Sequence, residues 1–350
     1  MRCIVMNQGL VSVSNGRTFR DLLVAQPFVY APGVGDPHDA GIVAKVGFPV
    51  VYLSGYSISN KKGYPDTGML SFTEMVDAIR GTVNMLERGL SGVPNIPVVA
   101  DADTGYGGVG NIERTVREYI LARAAAAHIE DQKDPKKCGH IAGKEVIPLE
   151  DAVAKYRAAV YTRNNLDPSF YLIARTDAAG AVGGSLEEAI KRGRAYADTG
   201  MDAVWAEFGN TKREPLEEFA KAMKETHPNT VLAINYSSNL AWDGSGITHE
   251  VLAEMGYGFI FTTLAALEAG RMAVYDHIND LRQRGAEAQW DLEKKKKTHP
   301  LGSSHQSLGM LPHQQDLETM FVPDAANKRD ASEGFGSKTD EHAIRAHGGP

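Results

Sequence analysis

The chain has 350 residues, 43% hydrophobic and 23% charged, with a formal net charge of −7. That is the composition of a globular protein with material for a sizeable core, and its acidic balance argues against nucleic acid or an anionic membrane surface as a partner. No segment approaches the roughly 18 consecutive apolar residues of a membrane span, the start MRCIVMNQGLVSVSNGRTF lacks the apolar region and cleavage site of a signal peptide, and two cysteines, Cys3 and Cys138, make no disulfide framework, so a reducing cytoplasm is the expected location.

Short apolar, β-branched runs recur along the chain, each followed by an amphipathic stretch. FVYAPGV (28–34) leads into HDAGIVAKVG, VVYLSG (50–55) into SFTEMVDAIRGTVNMLERG, and PVVADAD (97–103) into NIERTVREYILARA. AAHIED (126–131) precedes LEDAVAKYRAAVYTRN, YLIARTDA (171–178) precedes SLEEAIKRGRAYADTG, and AVWAEFG (203–209) precedes LEEFAKAMKETH. VLAINY (231–236) is followed by THEVLAEMGYG and then FIFTTLA (259–265). Near-continuous apolar runs suit parallel strands buried on both faces, and apolar residues three or four apart suit helices. Ser, Asn or Thr opens several of the helical stretches, Glu188 follows Ser185 at capping-box spacing, and Gly closes several. Eight such strands predict a (β/α)8 barrel over 17–265, after an N-terminal arm at 1–16. GYGGVGN (105–111) lacks the Lys-Ser/Thr ending of a P-loop. Beyond the barrel, 266–297 reads as one long helix or a broken pair suited to subunit contacts, and 298–350 as a tail without a core of its own.

In such a barrel the active face lies at the strand C-termini. There the chain places Ser54, Gly55 and Tyr56, then Asp101 and Asp103, then His128, Glu130 and Asp131. Arg175 and Asp177, Glu207, Asn235 and Ser237, and Thr262 and Thr263 follow, with Asp66 in the loop after the second strand. Carboxylates without cysteine or histidine companions suit a hard divalent ion, Mg2+ or Mn2+; they also suit solvated or salt-bridged acids. Arg175 among them can clamp a substrate carboxylate or simply pair with Asp177.

The stretch PKKCGH (135–140) lies in a long loop, 132–148, after the fourth strand. Loops of that length are often lids. Gly139 and Gly143 are expected to act as hinges, and Lys136, Lys137 and His140 to favour the thiolate of Cys138. A cysteine so placed can give or take a proton; the alternative is an inert thiol.

These motifs together resemble the isocitrate lyase family, within the isocitrate lyase and phosphoenolpyruvate mutase superfamily, from about Arg17 to Thr263. KKCGH followed by GKEVIP is similar to the family's signature loop, VYLSGY to its YLSGW, VADADTGYGG to VADGEAGFGG and HIEDQ to HWEDQ. IARTDA is shared, NYSSNLAW resembles NCSPSFNW, FTTLA resembles FITLA, and His305-Gln306 falls at a Lys-His-Gln segment. The resemblance implies a (β/α)8 barrel with Mg2+ at the strand ends, a homo-oligomer, usually a tetramer with an exchanged C-terminal helix, and cleavage of isocitrate, a small tricarboxylate, to glyoxylate and succinate in the glyoxylate cycle. It implies Asp101 as principal metal carboxylate, with Asp66, Asp103 and Glu130 acting mostly through metal-bound water. Ser54, Gly55 and Tyr56 would hold glyoxylate. Arg175 would bridge both products, and Asn235, Ser237, Thr263, Gly139 and His140 would take the succinate carboxylates, with Glu207 also in the substrate site. Tyr52 would accept the hydroxyl proton and Cys138 would protonate the succinate fragment.

The chain departs from the pattern. AGAVGGSLEEA follows IARTDA directly, without the large insertion of many isocitrate lyases; Tyr56 replaces Trp, Asn239 a serine and Asp103 a Glu. Short chains are typical of 2-methylisocitrate lyases, the second reading; those usually carry KRCGH and lack this Asn-x-Ser motif. Phosphonopyruvate and oxaloacetate enzymes, which generally lack the cysteine loop, rank third. A reading from another class is a catalytically silent barrel serving in ligand binding or assembly.

Overall fold

Each predicted apolar run becomes a strand. The computed structural model describes residues 15–87, 93–302, 308–309, 311–322 and 324–332. The strands are β1 (Val29–Val34), β2 (Val51–Leu53), β3 (Val98–Asp101), β4 (Ala126–Glu130), β5 (Tyr171–Thr176), β6 (Ala203–Ala206), β7 (Val231–Asn235) and β8 (Tyr257–Thr262). They are parallel and close into a barrel, β8 returning to β1 with Val29 opposite Phe259. Most strands stop short of the end of the predicted run, because the last residues of those runs leave the ladder to form the turns that carry the polar side chains. β8 starts at Tyr257, earlier than Phe259.

The helices are α1 (Asn15–Ala25), α2 (Pro37–Val46), α3 (Gly55–Lys61), α4 (Phe72–Glu87), α5 (Val109–Leu121), α6 (Leu149–Leu166), α7 (Leu186–Ala197), α8 (Arg213–Thr226) and α9 (His249–Met255). After the barrel come α10 (Ala265–Arg284), α11 (Ala286–Lys296), α12 (Leu311–Phe321) and α13 (Ala325–Asp330). The expected caps form: Ser185 accepts from Glu188 N at 3.2 Å, and Ser71 and Glu74 make a reciprocal capping box. α2 and α9 end on Gly47 and Gly256 in the left-handed region, φ 104° and 111°.

Two helices before residue 265 were not legible as such. α3 starts directly at the end of β2, with Ser54 Oγ accepting from Ser57 N at 3.0 Å. α1 packs at the N-terminal end of the strands, where Phe19 is fully buried edge-on to Tyr171 and Phe259 at 5.1 and 5.2 Å between ring centres. Burying such a ring contributes roughly 1.5–3 kcal/mol. Arg20 adds hydrogen bonds to Ser169 O and Phe170 O at 2.8 and 3.1 Å. With the interior filled by Tyr52, Trp205, Phe259 and Phe261, the barrel is a packed core, and chemistry is left to its C-terminal face.

The described residues fall into two compact units, those of Met1–Glu87 with Asn95–Leu267, and those of Arg88–Pro94 with Glu268–Pro350. The segment read as one long helix or a broken pair is the broken pair: Gly285, at φ 58°, separates α10 from α11. α12 and α13 form in the segment read as a tail. Cys3, His305, Gln306, nearly all of the predicted arm and the last part of the tail lie outside the described residues. Among the described residues no helix is long and apolar enough to cross a membrane.

Candidate active site

The first half of the site is built by the turn after β3. Asp101 ends the strand, and its two carboxylate oxygens accept from Gly55 N at 3.0 Å and Asp103 N at 2.9 Å. A side chain at Gly55 would put Cβ 2.7 Å from Asp101 Oδ2, so this approach requires glycine. Asp103 reaches its place through a left-handed backbone, φ 45°, which Asp tolerates better than most residues. Burial opposes the charge on Asp101, but His128, Lys136 and the Asp103 N–H outweigh it and hold the carboxyl below its ordinary value. Burial, reinforced by Asp101 and Asp66 and only partly offset by Lys136, pushes Asp103 up to about 6. Glu130 is pushed well above the usual range by burial, against the pull of Arg175.

Asp101 is the expected principal metal carboxylate, with Asp66, Asp103 and Glu130 reaching the ion through water; among the described residues no three His, Cys, Asp or Glu side chains are grouped to hold an ion directly. Cations of the chain stand there instead. Lys136 Nζ lies 2.6 Å from both Asp66 and Asp103, and Arg175 Nη1 lies 2.9 Å from Glu130 Oε2. Even so, neither carboxylate oxygen of Glu130 has a hydrogen bond, though both are buried. A donor set of oxygens only, with acceptors left over, fits a hard divalent ion carried by one carboxylate and water, with the other acids in reach through water.

Arg175, from β5, organises the second half. Its guanidinium donates to Asp177 at 2.9 and 3.0 Å, stands 3.8 Å from Glu207 and lies 4.3 Å over the Trp205 ring. The Asp177 pairing is therefore real, and the same arginine still lines the cavity. Asp177 is held well below the carboxylate range: Arg175 and Lys144 outweigh its burial.

The loop carrying Cys138 is pinned over this cluster. Its stem is zipped by Lys133 N to Glu145 O and Ile147 N to Asp131 O, both 2.9 Å, and the Gln132 amide brackets Lys137 N and O at 2.9 Å each. At Gly139 the structure shows a packing demand that the expectation of a hinge did not contain. A Cβ there would overlap Arg175 Nη2 and come within 2.7 Å of Glu207 Cγ, so glycine is required for close packing; only Gly143 takes the left-handed backbone, φ 79°. The expectation that neighbouring cations favour the thiolate fails. Lys136 turns to Asp66 and Asp103, Lys137 Nζ to Gly143 O at 2.5 Å, and His140 Nε2 to Glu207 at 2.8 Å. Burial, with Asp66 nearby, pushes the Cys138 thiol up to about 11, so it carries its proton at neutral pH.

Tyr52 OH is 2.7 Å from His128 Nε2, itself 3.3 Å from Asp101 Oδ1. Burial and Asp101 raise the Tyr52 phenol well above its ordinary value, so it is no ready-made base. Burial pushes His128 down to about 4, so this pair is neutral at pH 7.

A cavity of about 400 Å3, counted to its open mouth, brings most of the expected residues together: Tyr52, Tyr56, Asp66, Asp101, Cys138, Gly139, His140, Arg175, Glu207, Asn235, Ser237 and Thr263 all line it. Thr263 Oγ1 donates to Asn235 Oδ1 at 2.7 Å, which leaves the Asn235 amide N–H groups as the remaining donors. Trp242 Nε1 donates to Ser237 O at 2.9 Å and so fixes the NYSSNLAW turn. Ser54, Gly55, Asp103 and Glu130 are not in the wall: Ser54 caps α3, Gly55 braces Asp101, and Asp103 faces Lys136. In the sequence Lys136 reads only as a neighbour of Cys138 and His128 only as a polar strand end, while Trp205 and Lys144 have no role; the ion pairs of Lys136 and Lys144 and the Tyr52–His128 contact come from the fold.

Residues 19–281 match the family model described as phosphoenolpyruvate phosphomutase. An isocitrate lyase of Haloferax volcanii is 42% identical, over 93% of this chain and 92% of that protein. A 2-methylisocitrate lyase of Aeropyrum pernix is 35% identical, over 78% of this chain and 81% of its own length. Among solved structures, oxaloacetate acetylhydrolase in complex with 3,3-difluorooxalacetate superposes with a TM-score of 0.72 at 30% identity, covering 90% of this chain and 97% of that one.

Proposed function

Because the chain belongs to the phosphoenolpyruvate mutase and isocitrate lyase superfamily of enzymes, we propose that it cleaves isocitrate to glyoxylate and succinate. The observation that carries this reading is a single cavity lined by a protonated Cys138 together with Arg175, Asn235, Ser237, Thr263 and Asp101. Asp101 would hold Mg2+ or Mn2+, with Asp66, Asp103 and Glu130 reaching it through water. When bound, the ion supplies positive charge that offsets the negative charge growing at the glyoxylate end. Arg175 offsets the charge on the succinate side, and Asn235, Ser237, Thr263 and His140 orient its carboxylates. The hydroxyl proton of the substrate leaves through Tyr52, which passes its own proton to His128 Nε2. The C–C bond breaks, its electron pair passes to the carbon that becomes succinate, and the Cys138 thiol gives that carbon its proton. A thiol held at about 11 is suited to that donation because it is protonated before each turnover. Tyr56 would close the glyoxylate end. Family likeness extends the proposal to a homo-oligomer, with residues 266–297 making subunit contacts.

Cleavage of 2-methylisocitrate is the second reading, favoured by the direct passage from the short 3-10 turn Ala178–Gly180 to α7 without an insertion. One methyl group is worth only about 1–3 kcal/mol of discrimination, so both substrates must be compared. The test is kcat/KM for each with Mg2+ present, glyoxylate being read as its phenylhydrazone. A preference for 2-methylisocitrate by about tenfold or more overturns the assignment. No turnover of either leaves a binding or assembly role.

A further inference from the structure

Lys144 is buried at the far end of the cysteine loop, in a place the proposed chemistry does not use. Its ammonium donates to the carbonyl of Gly139 and to Asp177 Oδ1, the latter at 2.9 Å. Asp177 in turn holds Arg175 through two hydrogen bonds. The backbone of Lys144 is fixed as well, its carbonyl accepting from Val182 N at 2.8 Å. Space for the side chain exists because residue 180 is glycine: a Cβ there would meet only Lys144, at 3.3 Å from Cε and 3.4 Å from Nζ. The Gly139 carbonyl is one residue from the thiol. One ammonium thus joins the segment that carries the sulfur to the carboxylate that aims the guanidinium.

We infer that Lys144 is a positioning residue, a latch that locks the Cys138 loop shut and sets the thiol in register with Arg175. The other groups that hold the loop act elsewhere: Gln132 on Lys137, His140 on Glu207, and Lys136 on Asp66 and Asp103. Of these, only Lys144 ties the loop backbone next to Cys138 to the Arg175 clamp. The latch gains its catalytic meaning from the proposed role of Cys138, but the contact itself can be tested without any substrate.

The test uses full-length protein carrying Cys3→Ser, which leaves Cys138 as the single thiol. In this background Lys144→Met removes the ammonium and keeps the length of the side chain. Gly180→Ala keeps every charge and sets a methyl 3.3 Å from Lys144 Cε and 3.4 Å from Nζ, so the ammonium is shifted only slightly. Iodoacetamide modification of Cys138, followed by mass spectrometry at fixed pH, should be about tenfold faster or more in Lys144→Met, the scale expected when a charged hydrogen bond no longer holds a segment closed. Gly180→Ala should move the rate in the same direction by less, and Lys144→Gln, which also removes the charge, carries the test if Lys144→Met does not fold. In isocitrate cleavage kcat should fall more than KM rises, because Asp177 still holds Arg175. A modification rate within twofold of the parent in a folded variant lacking the Lys144 ammonium would overturn the latch. Faster modification in a protein that cleaves no isocitrate would retain the latch and reject the proposed reaction.

Discussion

Gly139→Ala tests whether the cysteine loop must lie flush on the arginine. The new methyl would overlap Arg175 Nη2, approach Glu207 Cγ at 2.7 Å and stand 3.2 Å from Asp177 Oδ1. Carbon atoms rest at about 3.5–4.0 Å, so the loop or the guanidinium must retreat by roughly 1 Å. Arg175 cannot move freely: it is tied to Asp177 by two hydrogen bonds and stacked on Trp205. The loop should therefore lift, carrying the neighbouring thiol with it. A displacement of that size at reacting groups costs on the order of 100-fold in rate, while overpacking costs about 1–3 kcal/mol of stability, which a folded barrel can absorb. The assay is Mg2+-dependent glyoxylate release, with thermal unfolding run in parallel. A Gly139→Ala enzyme that is folded and within about threefold of wild type would refute the reasoning, since a misplacement near 1 Å could not be so cheap.

Cys138→Ser should lower kcat by about 100- to 10,000-fold, the usual loss for a positioned acid, with a much smaller change in KM; near-normal kcat would make the thiol incidental. Alkylation of wild-type Cys138 should accelerate with each pH step up to about 11, because only the thiolate reacts; a plateau near pH 8 would contradict the upward shift of the thiol. Excess EDTA should abolish activity, Mg2+ or Mn2+ should restore it, and Asp101→Ala should stay folded without metal-dependent activity; full turnover in EDTA would reject the metal. His128, whose folded value is about 4 against an ordinary 6.5, takes a proton more readily when unfolded, so its contribution to stability is present above 6.5 and lost as pH falls toward 4, up to about 3 kcal/mol. Urea unfolding of wild type and His128→Gln at pH 7 and 4.5 reads this as a difference, and equal pH slopes would exclude it. Met272, Tyr275 and Ile278 form an exposed apolar stripe on α10; if it meets another subunit, Tyr275→Glu with Ile278→Glu should dissociate the oligomer in sedimentation, and unchanged assembly would place the contact elsewhere.

The architecture was legible because it is written in local period. Runs such as YLIARTDA and AVWAEFG can bury both faces only inside a parallel sheet, and their alternation with amphipathic helices leaves few topologies but the closed barrel. The polar residues that end those runs are placed at the catalytic face by the strand direction alone, so Asp101, Arg175, Asn235 and Thr263 could be picked out without coordinates. α1 and α3 were missed for the complementary reason. One is fixed by Phe19 reaching the barrel end, the other by a cap on a strand terminus, and neither has a long apolar period.

What the chain does with its charges was decided only in three dimensions. Sequence neighbours suggested that Lys136, Lys137 and His140 would activate Cys138. In the fold Lys136 meets Asp66, 70 positions away, Lys144 meets Asp177, 33 away, and His140 meets Glu207, 67 away. A side chain is neutralised by what the barrel brings within about 3 Å, because charge-assisted contacts weaken steeply with distance and misalignment. Burial then sets the remaining balance, leaving the thiol protonated, His128 neutral and Glu130 with unused acceptors. Local sequence specifies which groups arrive at the mouth of the barrel; closure of the sheet determines which of them are already paired and which remain free to meet a ligand.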